Sequence, residues 1–367
     1  MPDIRSGAAC GVINRLAAFC CSRQPGPLNG FCLMTMSELS ERDILKICYL
    51  YYQEENTQEE ISRLFGVSRF KISRTLKEAK RKGYVTITIN DPKGDFTDTE
   101  IKLANAFGLQ QAIVVRVNEF SEKSAMDQIA EAGAHYLSQI VGDYHTFGVT
   151  WGRTVSHVVT HLKPIEVKNL TLVQIGGGLG TIEGTDNNML TMMLGQKLGA
   201  KAHVIPAPVI VRNRSIRDTL FKEKKIQQTL EIAQKADLVL FGVGIIGKHG
   251  LLWRSGFLHK EDTVKLRKAG AVGQICGRSF NAQGQKCLDE LDDRTIGLNL
   301  DQIRKIKHKI CIAIGQEKVA AILGTLRGNL ANVLVTDENT AASLLKAGST
   351  TKAAKKTHLT SDSAVLS

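Results

Sequence analysis

Two patterns of apolar residues divide this chain. Between residues 40 and 82, apolar positions recur every three or four residues, which is the spacing of short amphipathic helices. From about residue 110 to residue 347, short aliphatic runs alternate with amphipathic segments. Such alternation predicts an α/β unit with a parallel sheet that is covered on both faces. The predicted strands are QAIVVRV, TFGVTW, LTLVQIGG, AHVIPAPVIV, LVLFGVG, KICIAIG and ANVLVT.

The segment Thr57–Lys82 predicts two helices joined at a glycine. Thr57 and Glu60 have the spacing of a capping box, so a helix begins at Thr57. Gly66 stands where a left-handed residue would end that helix, and Ser68 can cap the next one. The buried stripe of the second helix consists of Ile72, Leu76 and Ala79. This arrangement is typical of a helix-turn-helix, whose second helix enters the DNA major groove.

The second of these helices concentrates positive charge. Between Ser68 and Lys82, seven basic residues stand against the single acid Glu78, which suits a phosphate backbone. The predicted base-reading residues near its start are Ser68, Arg69, Phe70, Lys71, Ser73 and Arg74. The predicted phosphate contacts are Lys77, Lys80 and Arg81, and Thr57 is placed on the same surface. A basic helix on a solvated face is the alternative, but it does not account for the capping box and the hinge glycine.

The remaining segments complete the predicted organisation. A helix from Ser40 to about Tyr52 would pack under the helix-turn-helix, and Tyr84–Asn90 alternates like the wing strand of a winged domain. We expect a helix-turn-helix domain over residues 36–92 and an effector-binding and oligomerisation domain over residues 93–348. Residues 1–35 read as a dispensable, disordered extension, and residues 349–367 as a disordered polar tail.

Composition narrows the choice of partners and compartment. A net charge of +12 favours an acidic partner such as nucleic acid, although an anionic membrane surface would also fit. No apolar run approaches the roughly 20 residues of a membrane span, so we expect no insertion. The 8 cysteines form no paired CxxC motifs, which argues against zinc and indicates reduced thiols in a cytoplasm.

From about Ser40 to Leu345 the chain resembles the SorC-type sugar-binding transcriptional regulators, which are grouped near the DeoR-like repressors. The resemblance rests on GVSRFKISRTLKEA, GVTWGRT, QIGGGLG, PAPVIV, GVGIIG, GAVGQICGRSFNAQG and QEKVAAILGTLRGNLANVLVTDENTA, in that order. It implies a dimeric or tetrameric cytoplasmic regulator of bacterial type. Its Rossmann-like C-terminal domain would be similar to phosphosugar isomerases and would bind a phosphorylated sugar as effector.

Three segments carry chemistry suited to such an effector. Gly152-Arg153-Thr154 ends a strand and enters a helix as an anion cradle, and Gly176-Gly177-Gly178 would let a ligand approach the backbone. Lys318 adds a cation after another strand. The resemblance implies effector contacts at Gly152, Arg153, Thr154, Gln174, Gly176, Gly177, Gln274 and Lys318. For each glycine, a turn that requires glycine is an equal alternative.

Several positions depart from the family pattern. Position 274 is usually acidic, whereas Gln274 can both donate and accept hydrogen bonds, so the sequence leaves the identity of the effector open. Asn281 replaces the aspartate that is usual in the family, and Ile314-Gly315-Gln316 replaces the usual Ala-Gly-Gly. In the helix-turn-helix, Ser62 occupies the place of a small alanine, where we expect it to fit.

Other motifs are weaker. Residues 242–247 satisfy GxGxxG, but the following residues lack the helical stripe that a dinucleotide site requires. His157 and His161 have the spacing of metal ligands, yet the sequence places no third ligand, and a surface pair is the preferred interpretation. No GxSxG elbow is present. We therefore predict no metal, no cofactor and no catalytic residues.

Three hypotheses follow from these features. The leading one is a DNA-binding regulator of a carbohydrate operon that is controlled by a phosphosugar. Repression relieved by the effector is the preferred sign of this control, and activation is the alternative. The second is a sugar-phosphate isomerase or deaminase with an appended DNA-binding domain, for which no general acid and base can be assigned. The third is a nucleoid-type protein whose α/β unit serves only for oligomerisation, so that sugar phosphates would not change its DNA affinity.

Overall fold

The fold comprises two compact units, Met1–Asn90 and Asp91–Ser367, which we call the helical unit and the α/β unit. The computed structural model describes residues 39–85, 97–118, 121, 123–182 and 185–348. The predicted extension 1–35, the predicted tail 349–367 and residues 86–90 of the predicted wing strand lie outside this description. No helix within the described ranges is long and apolar enough to cross a membrane.

The helical unit contains the three predicted helices. They are α1 (Glu41–Tyr52), α2 (Gln58–Phe65) and α3 (Arg69–Arg81). Each contributes apolar side chains to one small core, because the apolar stripe of each helix must be covered by its neighbours. The buried members of this core are Ile47, Cys48, Ile61, Ile72, Leu76 and Ala79.

Local hydrogen bonds set the ends of these helices. The hydroxyl of Thr57 accepts from the Glu60 N–H (3.3 Å), and the Glu60 carboxylate accepts from the Thr57 N–H (2.8 Å), as a capping box requires. Gly66 ends α2 with a φ of 62°, a left-handed conformation that favours glycine. Ser62 fits beside this turn, where its hydroxyl donates to the Val67 carbonyl (2.5 Å).

The α/β unit is built on a sheet of seven parallel strands. They are β1 (Gln111–Val115), β2 (Thr146–Val149), β3 (Thr171–Gln174), β6 (Lys201–His203), β7 (Leu238–Phe241), β10 (His308–Ile312) and β11 (Val333–Asp337). Their order in the sheet is β1-β11-β10-β7-β2-β3-β6, and every ladder is parallel. Two antiparallel pairs lie outside it: β4 (Thr181–Ile182) with β5 (Thr185–Asp186), and β8 (Ala271–Ile275) with β9 (Arg278–Asn281).

Helices cover both faces of this sheet. Along β7, Leu238 and Leu240 pack into one core, whereas Val239 and Phe241 pack into the other. This alternation arises because successive side chains of a strand point to opposite faces. The helices are α4 (Thr97–Phe107), α5 (Ala125–Ile140), α6 (Arg153–His161), α7 (Asn187–Leu198), α8 (Arg214–Leu220), α9 (Lys224–Gln234), α10 (Leu251–Arg254), α11 (Lys260–Lys268), α12 (Asp289–Asp292), α13 (Leu300–Lys305) and α14 (Val319–Arg327), followed by a helical segment over residues 338–348.

One predicted strand is mostly wrong. The run AHVIPAPVIV forms a strand only as far as His203, and residues 205–211 continue without regular pairing. Pro206 and Pro208 have no backbone N–H to donate, so the apolar residues around them pack without a regular ladder. The Val209 N–H instead donates to the Gly178 carbonyl (2.8 Å).

The side chain of Arg278 joins the β8–β9 pair to the segment 292–298. Its guanidinium, on a side chain that is 5% exposed, donates to the carbonyls of Leu298 (3.1 Å) and Gly297 (2.9 Å). It also donates to the carbonyls of Thr295 and Asp292 and forms an ion pair of 2.9 Å with the Asp292 carboxylate. One buried cation therefore satisfies four backbone acceptors.

We expect Arg278→Met to lower the free energy of unfolding by about 3–5 kcal/mol, because it leaves the Asp292 carboxylate and several buried carbonyls without their donor. Urea unfolding followed by tryptophan fluorescence measures this loss selectively, since both tryptophans, Trp151 and Trp253, belong to the α/β unit.

The matched control is Arg214→Met, which removes an arginine that is 67% exposed and forms only surface ion pairs. It should change stability by less than about 1 kcal/mol. Equal losses for the two variants would contradict the structural role of Arg278.

Candidate functional site

A cavity opens at the carboxyl ends of β2, β7 and β10. Its walls come from the loops after these strands and from β8. From β2 the chain continues to β3 and β6 on one side of the sheet, and from the adjacent β7 it continues to β10 and β11 on the other side. The boundary between β2 and β7 is therefore a switch point, where open α/β sheets bind ligands. The lining residues are Trp151, Gly152, Arg153, Thr154, Gly242, Val243, Gly244, Ile245, His249, Gly250, Leu251, Arg254, Gln274, Cys276, Glu317 and Lys318.

The first wall is the start of α6. Gly152 has a φ of 135°, and no side chain caps the helix there. Arg153 and the buried Thr154 follow directly, so a guanidinium, a hydroxyl and the N–H groups of a first helical turn meet at one place. Helix N-termini of this kind favour anions.

Lys318 supplies another part of the lining at the start of α14. It closes a short 3-10 turn, Gln316–Lys318, that follows β10. Burial, and then the positive charge of Arg153, lower the pKa of the Lys318 ammonium. The two cations therefore lie close enough to repel each other, and an anion bound between them would relieve that repulsion.

Gln274 approaches the cavity from β8. Its backbone exchanges two hydrogen bonds with Gly244 (2.9 and 3.0 Å), and its Nε2 donates weakly to the Ile245 carbonyl (3.4 Å). The side chain is 4% exposed, and its Oε1 finds no hydrogen-bond partner among the described residues. A buried acceptor without a donor is costly, so this oxygen is suited to accept from a ligand hydroxyl.

Three residues assigned to the effector do not line the cavity. Gln174 is fully engaged elsewhere: its Nε2 donates to Asn188 and Thr191 (both 3.1 Å), and its Oε1 accepts from the Ile205 N–H (3.1 Å). Gly176 packs against Cys276, which does line the cavity, and a side chain at Gly177 would collide with the backbone at Pro208 (2.6 Å). In this structure both glycines allow close backbone packing.

The cavity also contains residues that the sequence interpretation missed. Trp151, His249, Arg254 and Glu317 all contribute to its lining. The lining thus contains the basic side chains of Arg153, Arg254 and Lys318 and one carboxylate, that of Glu317. The sequence signal for this loop is the GxGxxG run at 242–247, which carries part of the family resemblance but had no effector contact assigned to it. As predicted, no helix opens there, because the next helix begins at Leu251.

The histidine pair on α6 lies beside a carboxylate from α5. His157 Nδ1 lies 2.8 Å from the Asp127 carboxylate, and His161 Nε2 lies 3.8 Å from the same oxygen. Ser124 and then His157 hold the pKa of Asp127 below its ordinary value by hydrogen bonding. Within the part of the chain that the structure describes, no cluster of His, Cys, Asp or Glu is arranged to hold a metal ion.

In the helical unit, α3 presents two different faces. Ile72, Leu76 and Ala79 are buried, and Lys71 and Ser73 beside them are half-buried. Spacings of four, three and four place another set on one outward row. This row, which we call the outer row, consists of the exposed residues Phe70, Arg74, Lys77 and Arg81.

The other predicted DNA contacts have partners within the helical unit or line a cleft of it. Lys80 Nζ lies over the ring of Tyr52, 5.4 Å from its centre, and the Ser68 hydroxyl accepts from the Lys71 N–H (3.2 Å). Thr57 caps α2, as described above. Arg69 lines an open cleft with the acids Glu55 and Glu59, among others. The assignment of these residues to DNA stays a prediction.

Comparison with known proteins identifies the family. Residues 91–346 match the family model of the sugar-binding domain. The chain belongs to this family. It is 33% identical over 297 residues to the deoxyribonucleoside regulator of Bacillus subtilis strain 168, with 81% of this chain and 95% of the relative covered. It is 30% identical to the sorbitol operon regulator of Klebsiella pneumoniae, with 83% and 98% covered.

Solved structures agree with this assignment. The full-length sorbitol operon regulator SorC from Klebsiella pneumoniae superposes with a TM-score of 0.65 at 30% identity, covering 83% of this chain and 98% of that protein. A DeoR family transcriptional regulator from Listeria monocytogenes gives a TM-score of 0.63 at 29% identity, covering 67% and 98%. The resemblance to SorC-type regulators is confirmed, and the protein is a sugar-responsive transcriptional regulator rather than an enzyme.

The unpartnered oxygen of Gln274 leads to a prediction for stability. Gln274→Met should raise the free energy of unfolding of the ligand-free protein by about 1 kcal/mol, because it removes a buried acceptor at nearly constant volume. Urea unfolding followed by tryptophan fluorescence provides the measurement.

Gln174→Met is the matched control, since Gln174 is 2% exposed and its polar atoms are bonded. That variant should lose about 1–3 kcal/mol, because it strands the Ile205 N–H and other buried groups. If both variants were destabilised alike, the Gln274 oxygen would not be an unsatisfied acceptor.

Proposed function

We propose that the protein is a cytoplasmic repressor of a carbohydrate-utilisation operon and that it binds operator DNA as a dimer or tetramer. A phosphorylated sugar bound in the α/β unit would weaken that binding. The observation that carries the proposal is the cavity at the β2–β7 switch point, where Arg153 and Lys318 from two helix starts stand with the unpartnered oxygen of Gln274.

The two ends of the proposed ligand have different partners. The phosphate group lies between Arg153 and Lys318 and accepts from the Thr154 hydroxyl and the first N–H groups of α6. A dianion there offsets the burial and the repulsion by Arg153 that lower the pKa of Lys318. A sugar hydroxyl donates to the Gln274 oxygen. Free sugars lack the first interaction, and inorganic phosphate lacks the second.

Regulation then requires that the ligand distinguish two arrangements of the oligomer. A ligand shifts such an equilibrium only by the difference between its affinities for the two arrangements. The outer row and the start of α3 would face the major groove, with one copy of the helical unit on each half of a palindromic operator. We propose that the DNA-bound protein represses transcription and that the ligand relieves this repression.

Fluorescence anisotropy with a labelled duplex from upstream of the protein's own gene tests this proposal. The full-length protein is titrated at physiological salt, with random-sequence duplex as competitor, and then with a panel of sugar phosphates, free sugars and inorganic phosphate. We expect at least one sugar phosphate to weaken binding about 5- to 150-fold. Binding no tighter than to random DNA would reject the regulator, and indifference to every sugar phosphate would reject the proposed effector class.

Lys318→Met should abolish the response to the sugar phosphate and leave DNA affinity unchanged, because it removes one of the two cations of the proposed phosphate site. The same anisotropy titration measures both properties. Lys265→Met is the control, since Lys265 lies on α11 and pairs with Glu290 at the surface. A Lys318→Met protein that still responds normally would remove this residue from the site.

Base and phosphate contacts on α3 can also be separated. Arg69→Ala should cost about 1–3 kcal/mol on the preferred duplex and relax sequence preference, because a base contact discriminates among sequences. Lys77→Ala should weaken preferred and random duplexes alike and reduce the slope of log affinity against log salt by about 0.9, because one phosphate contact is lost.

Competition titrations at several salt concentrations measure both effects. Equal effects of Arg69→Ala on preferred and random DNA would refute its role in base recognition.

A further inference from the structure

Phe70 is an unusual member of the outer row of α3. Its side chain is 79% exposed, the highest value among the large apolar side chains in the described part of the chain. It does not belong to the core of the helical unit, which Ile72, Leu76 and Ala79 supply from the same helix. Among the residues that the structure describes, this phenyl ring therefore has no packing role in the core.

The position of the ring on α3 connects it with nucleic acid. At about 100° per residue, Phe70 lies roughly 150° around the helix axis from the centre of the buried stripe. Arg74, Lys77 and Arg81 lie on the same side, one, two and three turns further along. A single exposed apolar residue is ordinary on a protein surface, but this one begins a row of cations that suits a phosphate backbone.

We propose that Phe70 contacts the 5-methyl group of a thymine in the major groove and thereby sets sequence preference at that base pair. The 5-methyl group of thymine is the apolar feature that base pairs present in the major groove, and phenylalanine is a side chain that contacts it. A phenyl ring offers no hydrogen bond to phosphate. Residues at the start of a recognition helix reach the base edges, whereas Lys77 and Arg81 further along would hold the helix on the backbone.

This inference rests on the DNA-binding function proposed above and adds the chemical group that is recognised. The competing use of an exposed phenyl ring is contact with a second protein surface. That use depends on apolar area alone, so it predicts no sensitivity of DNA affinity to one methyl group.

Replacement of thymine by deoxyuridine isolates the methyl group, because deoxyuridine pairs with adenine in the same way. The full-length protein first selects its preferred duplex from a random-sequence library. Each thymine of that duplex is then replaced singly by deoxyuridine, and affinities are measured for the wild type and for Phe70→Ala.

For the wild type, we expect replacement at one thymine position in each half-site to weaken binding about three- to tenfold, while the other thymines matter little. Phe70→Ala should bind the thymine duplex about as weakly as the wild type binds the deoxyuridine duplex. It should also show equal affinity for the two duplexes, and Phe70→Leu should retain part of the difference.

Two control variants keep the interpretation specific. Lys77→Ala should weaken binding to both duplexes and preserve their affinity ratio, because it removes only a phosphate contact. Leu64→Ala removes another apolar side chain of the helical unit, 71% exposed but on α2, and should also preserve the ratio. Because Phe70 lies outside the core, its variants should melt at the wild-type temperature, which circular dichroism checks.

The outcomes separate this inference from the function on which it rests. If no sequence is selected from the library, the DNA-binding proposal itself fails. If a site is selected but no deoxyuridine replacement changes affinity, the role of Phe70 is overturned and the regulator stands. A loss of self-association in Phe70→Ala with unchanged thymine preference would likewise overturn it and assign the ring to a protein contact.

Discussion

The buried guanidinium of Arg278 joins the β8–β9 pair, which supplies Gln274 to the cavity, to the segment 292–298. It binds four carbonyls in the segment 292–298, and that segment in turn hydrogen-bonds to the loop after β3, where the Gly177 N–H donates to the Ile296 carbonyl (3.0 Å). A buried cation is tolerated only where its donors are satisfied, so it fixes the path of the chain around it. The position of Gln274, four residues away on the neighbouring strand, follows from that fixed path.

The second constraint is the common direction of the strands. Because all seven strands are parallel, their carboxyl ends meet at one edge, and the chain reverses its order in the sheet between β2 and β7. Arg153, Arg254 and Lys318, far apart in sequence, therefore share one cavity. Repulsion between Arg153 and Lys318 is a cost that the protein bears without a ligand, and under the proposed function it would favour anions over neutral sugars.

A different constraint acts on the helical unit, because α3 must pack one face into the core and present the other face to a binding partner. On α3 the buried stripe and the outer row are separated by the helical period alone, because Phe70, Arg74 and Lys77 each precede a buried residue by two positions, which is about 200° around the helix. Such local patterns are readable from sequence, and the three helices were predicted for that reason. The failed strand after His203 shows the limit: apolar content indicated a strand, while Pro206 and Pro208 removed the donors that pairing needs.

The sequence by itself determined what depends on neighbours three or four residues apart: the capping box of Thr57 and Glu60, the left-handed Gly66, and the division of α3 into two faces. It also placed Arg153 and Lys318 at strand ends. Only the tertiary structure decided that Gln274 has an unpartnered oxygen, that Gln174 is already satisfied, and that Arg254 joins the cavity. These facts depend on contacts between distant segments, which local periodicity cannot specify.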